Sequence, residues 1–254
     1  MELNELTAYL ADFLNITAYE DYCPNGVQIE GRSQVKRLVT GVSASERLFT
    51  GAVKRNADAV LVHHGLFWKN TPQPLTLTGI IRTRVKILLA RDINLLGYHL
   101  PLDGHPTLGN NVLIAKALGL QDVRQVAIEG LKTPLMAVGT LKHTVPFEAF
   151  NRWANEIIGA SNPTLQLGRT QIQNVAVISG AGSGHWRDAA EAGADVLVTG
   201  EAREDVVRAA EEVGLNLCAC GHYNTEKWGV RALGEHLAAA FGLEAEFVDI
   251  PNPI

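Results

Sequence analysis

Apolar and polar positions follow two alternating periods along the first hundred residues. Runs that are apolar at nearly every position, at residues 37–42, 58–62 and 93–98, predict strands covered on both faces. Residues 45–56 and 79–91 lie between these runs and repeat apolar positions at helical spacing. Because strands alternate with helices, the pattern predicts an α/β protein with mostly parallel sheets covered by helices.

The same order returns in the second half of the chain. It predicts strands at 174–180, 195–200 and 215–221, helices at 185–193 and 203–213, and a last long helix capped by Thr225. An additional strand, helix and strand are predicted within 134–168. An amphipathic helix is predicted at the start of the chain from the spacing of Leu3, Leu6, Leu10, Phe13 and Leu14.

The two halves also resemble each other residue by residue, which predicts an internal duplication. Residues 57–62 (ADAVLV) match 194–199 (ADVLVT), and 93–95 (INL) match 215–217 (LNL). His99-x3-Asp103 follows the first match, and His222-x3-Glu226 follows the second. The alternative is that any two α/β units look alike.

We favour duplication and predict two related domains. The first, 1–125, carries His63, His64 and Asp103, and the second, 126–254, carries His222 and Glu226, with an end that could pack back on the first domain.

Composition narrows the classes of function. Of 254 residues 46% are apolar, which is enough for a full core, and the net charge is −5. The basic residues form no stripe, so we expect no nucleic-acid partner. No apolar run approaches the ~18 residues of a membrane span, so we expect no membrane partner. Three cysteines are too few for a disulfide framework, and the cytoplasm is the expected location.

Imidazoles and carboxylates follow several predicted strands where the strands end. His63-His64, His99 with Asp103, and His222 with Glu226 all stand there. Ligands of parallel α/β sheets bind beyond this end of the strands. Buried carboxylates repel one another and buried imidazoles lose solvation, and a divalent cation removes both penalties.

The donor types restrict the choice of metal. Imidazole nitrogen with carboxylate oxygen suits Zn, Mn, Fe, Co or Ni, and the sequence does not distinguish among these ions. The alternative is that the histidines are hydrogen-bonded structural residues. Glu201, which follows another predicted strand, is expected to orient a ligand imidazole. His99 is expected to be either a metal ligand or a proton donor.

Other polar and glycine residues receive structural interpretations. His105, His143, His185 and His236 lack partners of this kind and are taken as surface or supporting residues. Asp58 and Asp195 stand at strand starts and are expected to cap turns. Residues 180–184 (GAGSG) could hold a phosphate on backbone N–H groups, but a tight turn is the favoured interpretation.

The remaining candidates are sulfur and aromatic side chains. Cys218 and Cys220 share one face of a predicted strand and are interpreted as small buried hydrophobic residues. Phe67, Trp68 and Trp228 lie near the candidate ligands, where an aromatic ring could stack a base. Core packing is the commoner explanation for such residues.

The chain strongly resembles the bacterial YbgI-type proteins, which bear the name "GTP cyclohydrolase 1 type 2 homolog". The likeness covers nearly the whole chain and is carried by DYCPNGVQIEG (21–31), VHHGLFW (62–68), GYHLPLDGHPTLGNN (97–111), TGE (199–201), GHYNTEKWGVRAL (221–233) and DIPNP (249–253). The resemblance implies two related α/β domains and a two-metal site. It implies metal ligands at His63, His64, Asp103, His222 and Glu226, and assembly of the chain into a hexameric ring.

Two classes of function remain open. The first is a hydrolase using two divalent transition-metal ions per chain, acting on an unidentified small molecule that is nucleotide-like or a cyclic amide. In that case Glu226 or Asp103 would orient the nucleophile, and His99 would serve the leaving group. The second is a non-enzymatic protein that stores or delivers metal. A scaffold with a purely structural site is a weaker third alternative.

Overall fold

The fold consists of two compact units, each built on one five-stranded sheet. The computed structural model describes residues 1–71, 75–160 and 165–254. The helices are α1 (Leu3–Phe13), α2 (Glu46–Lys54), α3 (Gly79–Leu89), α4 (Leu100–Asp103), α5 (Asn110–Ala117), α6 (Phe147–Ile158), α7 (Trp186–Glu191), α8 (Glu204–Val213) and α9 (His222–Phe241). The strands are β1 (Gly26–Ile29), β2 (Arg37–Ser43), β3 (Ala59–His64), β4 (Asn94–Gly97), β5 (Gln121–Val126), β6 (Met136–Pro146), β7 (Gln171–Val177), β8 (Val196–Thr199), β9 (Asn216–Ala219) and β10 (Glu244–Phe247).

The first unit contains a sheet that is parallel except at one edge. Its strand order is β1-β4-β3-β2-β10, and only the β1–β4 pairing is antiparallel. Val39, Val60 and Leu95 pack with Leu48 and Phe49 of α2 in a buried cluster on one face of this sheet. Strands β2, β3 and β4 and helices α2 and α3 agree with the elements predicted from the apolar runs, whereas β1 and β10 were not predicted.

The second unit contains a sheet that is half antiparallel, with the order β5-β6-β7-β8-β9. The β7–β8 and β8–β9 pairings are parallel, whereas β5–β6 and β6–β7 are antiparallel. Of the strand, helix and strand predicted within 134–168, β6 and α6 are present. After α6, the described chain makes an isolated bridge between Leu165 and Leu217, and residues 161–164 of this prediction lie outside the described residues.

The units divide the chain at different places from the predicted boundary at 125/126. The first comprises Met1–Leu102 and Gly229–Ile250, and the second comprises Asp103–Trp228 and Pro251–Ile254. The reason is long-range strand pairing. β5 joins β6 in the second sheet, whereas β10 joins β2 in the first. Asp103 is the first residue of the second unit, whereas the sequence analysis placed it in the first domain.

The last helix begins earlier than predicted, at His222, so Thr225 is not its cap. Thr225 is buried in the first turn, with its hydroxyl 3.0 Å from the carbonyl oxygens of Gly221 and His222. Its oxygen also accepts the N–H of Gly180 at 3.0 Å. Within the described ranges, no helix combines the length and apolar character needed to cross a bilayer.

A buried aspartate joins the amino ends of the parallel strands in the first unit. Asp58 Oδ2 accepts the backbone N–H groups of Lys36 and Arg37, and Oδ1 pairs with Arg32 at 2.9 Å. Asn94 is also buried. Its amide donates to the carbonyls of Arg32 and Asp58 and accepts the N–H of Gly31.

The second unit contains the same network. Asp195 Oδ2 accepts the N–H groups of Gln173 and Asn174, and Oδ1 pairs with Arg169 at 2.8 Å. Asn216 donates to the carbonyls of Arg169 and Asp195, and its Oδ1 accepts the N–H groups of 167 and 168. Two copies of one specific network support the predicted duplication better than a general α/β likeness does.

A short repeated sequence accompanies this network near the start of β2 in the first unit and of β7 in the second. Residues 31–35 read GRSQV and residues 168–172 read GRTQI, and the same interval separates Asp58 from Asp195. This repeat is separate from the match between residues 57–62 and 194–199. The glycine is required because a Cβ at Gly31 would overlap the backbone of Asp92, and one at Gly168 would overlap Gly214.

We expect Asn94→Ala and Asn216→Ala each to lower the free energy of unfolding by about 2–3 kcal/mol, because buried backbone groups lose their partners. Arg37→Ala is the control, since it removes only an exposed ion pair with Glu244 and should change stability by less than about 1 kcal/mol. Urea denaturation measures all three variants. Asparagine variants as stable as Arg37→Ala would contradict a structural role for the network.

Candidate metal centre

Three imidazoles converge where two adjacent parallel strands of the first unit end. His63 and His64 are the last residues of β3, and His99 follows β4 by two residues. One ring nitrogen of each histidine lies within 4.8 Å of the others, and this group could hold a metal ion. The ring centroid of His63 lies 4.7 Å from that of His64 and 4.8 Å from that of His99.

The Nδ1 atom of each imidazole lies within hydrogen-bond distance of an oxygen atom. His63 Nδ1 is 3.1 Å from the carbonyl oxygen of Tyr98, and His64 Nδ1 is 3.0 Å from Ser43 Oγ. His99 Nδ1 is 3.0 Å from a carboxylate oxygen of Asp21. A carbonyl or carboxylate only accepts, so the protons of His63 and His99 belong on Nδ1. Nε2 is then the ring nitrogen that can bind a metal or a proton, as in most histidine metal ligands.

Asp21 holds His99 in place from a loop before β1. The Asp21 carboxylate is buried and also accepts the N–H groups of Cys23 and Leu100. Asn25 bonds both to Asp21 and to the backbone N–H of His99. Burial acts to raise the pKa of Asp21, but the hydrogen bond and charge of His99, together with the hydrogen bonds from Cys23 and Asn25, outweigh burial and lower that pKa to about 2. The sequence predicted no role for Asp21, which lies in a stretch, residues 21–31, that resembles the YbgI-type proteins.

The second unit places one imidazole between two carboxylates. His222 and Glu226 lie one turn apart at the start of α9, with Nε2 3.1 Å from a Glu226 oxygen. Glu201, just after β8, makes a short contact with His222 Nδ1, as its predicted orienting role requires. Burial acts to lower the pKa of His222, but the hydrogen bond and charge of Glu226, followed by those of Glu201, raise it to about 9. Such a site stabilises a cation.

Asp103 lies in the same second unit and is also buried. One of its carboxylate oxygens accepts the amide of Asn110 at 2.7 Å and the hydroxyl of Ser179 at 3.2 Å. These two donors hold the carboxylate group in place, and carboxylate oxygens of this kind are common metal ligands.

The glycine-rich turn at 180–184 packs against this second group of side chains. The carbonyl oxygen of Gly180 accepts the N–H groups of Gly200 and Glu201, and Gly180 has a φ of 61°. A Cβ at Gly180 would overlap Glu226 Oε1 and would lie 3.1 Å from His222 Nε2. The turn therefore serves close packing beside the carboxylate, in agreement with the tight-turn interpretation.

Comparison with known proteins places the chain in a family. The profile of Duf34/NIF3 (NGG1p interacting factor 3) matches residues 1–253. The chain belongs to the Duf34/NIF3 family. This agrees with the likeness to YbgI-type proteins inferred from the sequence motifs.

Relatives resemble the chain over its full length. Proteins of Salmonella typhimurium (43% identical, 100% of both chains) and Yersinia pestis (42%, 98% of both) are each named "GTP cyclohydrolase 1 type 2 homolog". A solved structure of the protein ybgI, described as of unknown function, has a TM-score of 0.93 at 43% identity over 100% of both chains. Reduced HcgD from Methanocaldococcus jannaschii has a TM-score of 0.85 at 25% identity over 98% of both chains.

The other histidines of this Duf34/NIF3 protein have separate surroundings. His105 is buried, and its Nδ1 accepts backbone N–H groups of its own loop. His185 pairs with Asp188 at 3.2 Å. His143 is exposed and His236 is half-buried.

The sulfur and aromatic candidates divide between core and site. Phe67 packs against the core of the first unit and Trp228 against that of the second, which agrees with core packing. Cys218 and Cys220 are buried in the second core, with sulfurs 3.5 Å apart. The hydrogen bond to Cys220, together with burial, raises the pKa of the Cys218 thiol. Trp68 differs, since its ring lies beside the histidine group.

Gly180→Ala tests the packing beside Glu226. We expect it to lower the free energy of unfolding by at least about 1 kcal/mol more than Gly193→Ala, and to displace the Glu226 carboxylate. Gly193 is the matched control because it also has a positive φ but has open space around its Cβ position. Both variants share the backbone strain of about 1–2 kcal/mol. Equal losses in the two variants, measured by urea denaturation, would contradict the proposed clash.

Proposed function

We propose that this protein binds two divalent transition-metal ions per chain and hydrolyses a nucleotide-like or cyclic amide substrate. The observation that carries the proposal is the convergence of three imidazoles whose ring nitrogens lie within 4.8 Å of one another. A metal that binds one ring nitrogen of His63 and one of His64 explains why these two imidazoles are adjacent, and His99 then lies beside them for proton transfer.

The residues fit such ions by donor chemistry. The ligand positions implied by family resemblance are His63 and His64 in the first unit, and Asp103, His222 and Glu226 in the second. Nδ1 of His63 is hydrogen-bonded to a carbonyl oxygen, and Nδ1 of His222 is hydrogen-bonded to a carboxylate, as is usual for histidine ligands of metals. Nitrogen and carboxylate donors together suit Zn, Mn, Fe, Co or Ni, and supply in the cell selects among them.

The proposed hydrolysis assigns a separate role to each of the residues Glu226, His99 and Asp21. A bound transition metal supplies a Lewis acid that polarises the scissile group and lowers the pKa of water. Glu226 orients the attacking water by accepting its hydrogen bond. His99 takes up at Nε2 the proton that the attacking water releases and delivers it to the leaving group, while Asp21 keeps the Nδ1 proton in place and stabilises the imidazolium.

The substrate class rests on the relatives. Their name refers to GTP cyclohydrolase, a type of enzyme that opens a ring by hydrolysis. The sequence lacks a G-x-x-x-x-G-K-[ST] phosphate loop, so a triphosphate would need other contacts. We therefore keep the wider class of nucleotide-like and cyclic amide substrates.

A second candidate function is storage or delivery of metal. It uses the same ligands and requires that an ion can leave, and the partial exposure of His64 and His222 favours this exchange. From the family resemblance we further propose that the chain forms a homohexameric ring in the cytoplasm. The mass of the particle in solution tests the oligomer.

Elemental analysis of untagged protein tests metal binding. We expect about two transition-metal ions per chain in the wild type and their loss in the His63→Ala/His64→Ala double variant. His143→Ala, at an exposed position, is the control and should retain its metal. The absence of stoichiometric metal even after reconstitution would make the paired histidines structural and would refute both candidate functions.

The role of His99 is tested separately. We expect His99→Ala to retain metal and to lower metal-dependent hydrolysis by about 10²–10⁴-fold, because proton transfer is lost. Asp21→Asn should also retain metal and lower hydrolysis, because the Nδ1 partner changes. Metal content and hydrolysis are measured on the same preparations. Loss of metal from His99→Ala would instead identify His99 as a ligand.

A further inference from the structure

Two aromatic rings border the histidine group of the first unit. The ring centroid of His99 lies 5.1 Å from that of Tyr22 and 5.3 Å from that of Trp68. Trp68 also lies 5.9 Å from His64. Tyr22 is 54% exposed and Trp68 is partly exposed, so these rings are not simply core residues.

A hydrogen bond holds the Trp68 ring in position without burying it, and a backbone hydrogen bond holds the loop that carries Tyr22. The indole N–H of Trp68 donates to the carbonyl of Gly65 at 3.1 Å, and its backbone N–H donates to Thr71 Oγ1 at 3.1 Å. The carbonyl of Tyr22 accepts the N–H of Lys69 at 2.9 Å, which joins the two loops. Aromatic surface that is already fixed loses little entropy when a ligand binds to it.

We propose that Tyr22 and Trp68 form a stacking surface that selects substrates containing a planar heterocycle. Aromatic rings stack with centroids 4.5–7 Å apart, and stacking of a base on an aromatic side chain contributes about 1–3 kcal/mol. A ring stacked there would lie beside His99 and His64. The inference rests on the proposed function and narrows its substrates to planar rings, excluding saturated cyclic amides.

Equilibrium dialysis of metal-reconstituted protein tests the stacking surface. The probes are the 5′-monophosphates of guanosine, adenosine, cytidine and uridine, with ribose 5-phosphate as the probe without a base. We expect Tyr22→Ala to weaken nucleotide binding about 5- to 150-fold. Tyr22→Phe, which retains the ring, should bind within about twofold of the wild type.

Three further measurements show which residues and which part of the nucleotide account for the binding. Trp186→Ala removes a tryptophan from the second unit and should leave nucleotide binding unchanged. Nucleotide should quench the fluorescence of the wild type more than that of Trp68→Phe, because the fluorescence of a stacked indole is quenched. Ribose 5-phosphate should bind wild type and Tyr22→Ala alike.

The outcomes separate this inference from the metal proposal. Equal nucleotide affinity in wild type and Tyr22→Ala, or no binding of any of the four nucleotides, would overturn the stacking surface. Metal content is measured on the same samples, and we expect it to be unchanged in Tyr22→Ala. Ring-dependent nucleotide binding by a protein that takes up no metal would support the stacking surface while refuting the proposed hydrolase.

Discussion

A buried aspartate and a buried asparagine hold the parallel strands of each unit together at their amino ends. In the first unit these are Asp58 and Asn94, and in the second they are Asp195 and Asn216. Their polar atoms bond to backbone groups and to one arginine, so this end of each sheet is used for stability. Polar side chains at the opposite end are not needed for that purpose, and it is there that the imidazoles and carboxylates stand.

The candidate site depends on oxygen acceptors as much as on its histidines. A carbonyl oxygen and the carboxylate of Asp21 fix the Nδ1 protons of His63 and His99, and Glu201 contacts the Nδ1 of His222. Each partner thereby directs the other ring nitrogen toward a metal or a proton. A variant that removes Asp21 or Glu201 would change the chemistry of an imidazole without removing it.

Duplication also shows how the two units have diverged. His64 and Glu201 each stand six residues after the aspartate of their unit, so one position carries an imidazole in one unit and a carboxylate in the other. The His-x3-carboxylate pairs lie at less regular positions relative to the asparagine of each network. His99 follows Asn94 by five residues, whereas His222 follows Asn216 by six. The aspartate–asparagine networks are therefore the firmer sign of common origin.

Most of the local elements, the repeated halves, and the histidines and carboxylates beyond the strand ends were predictable from the sequence, because apolar periodicity and strand direction are local properties. The boundaries of the two units could not be predicted from the sequence, because they depend on the long-range pairing of β10 with β2 and of β5 with β6. The tertiary structure alone also brought Asp21 and Tyr22 to His99, because a contact across 78 residues leaves no periodic signal in the chain. Long-range pairing of strands and loops supplies the partners that give each imidazole its orientation.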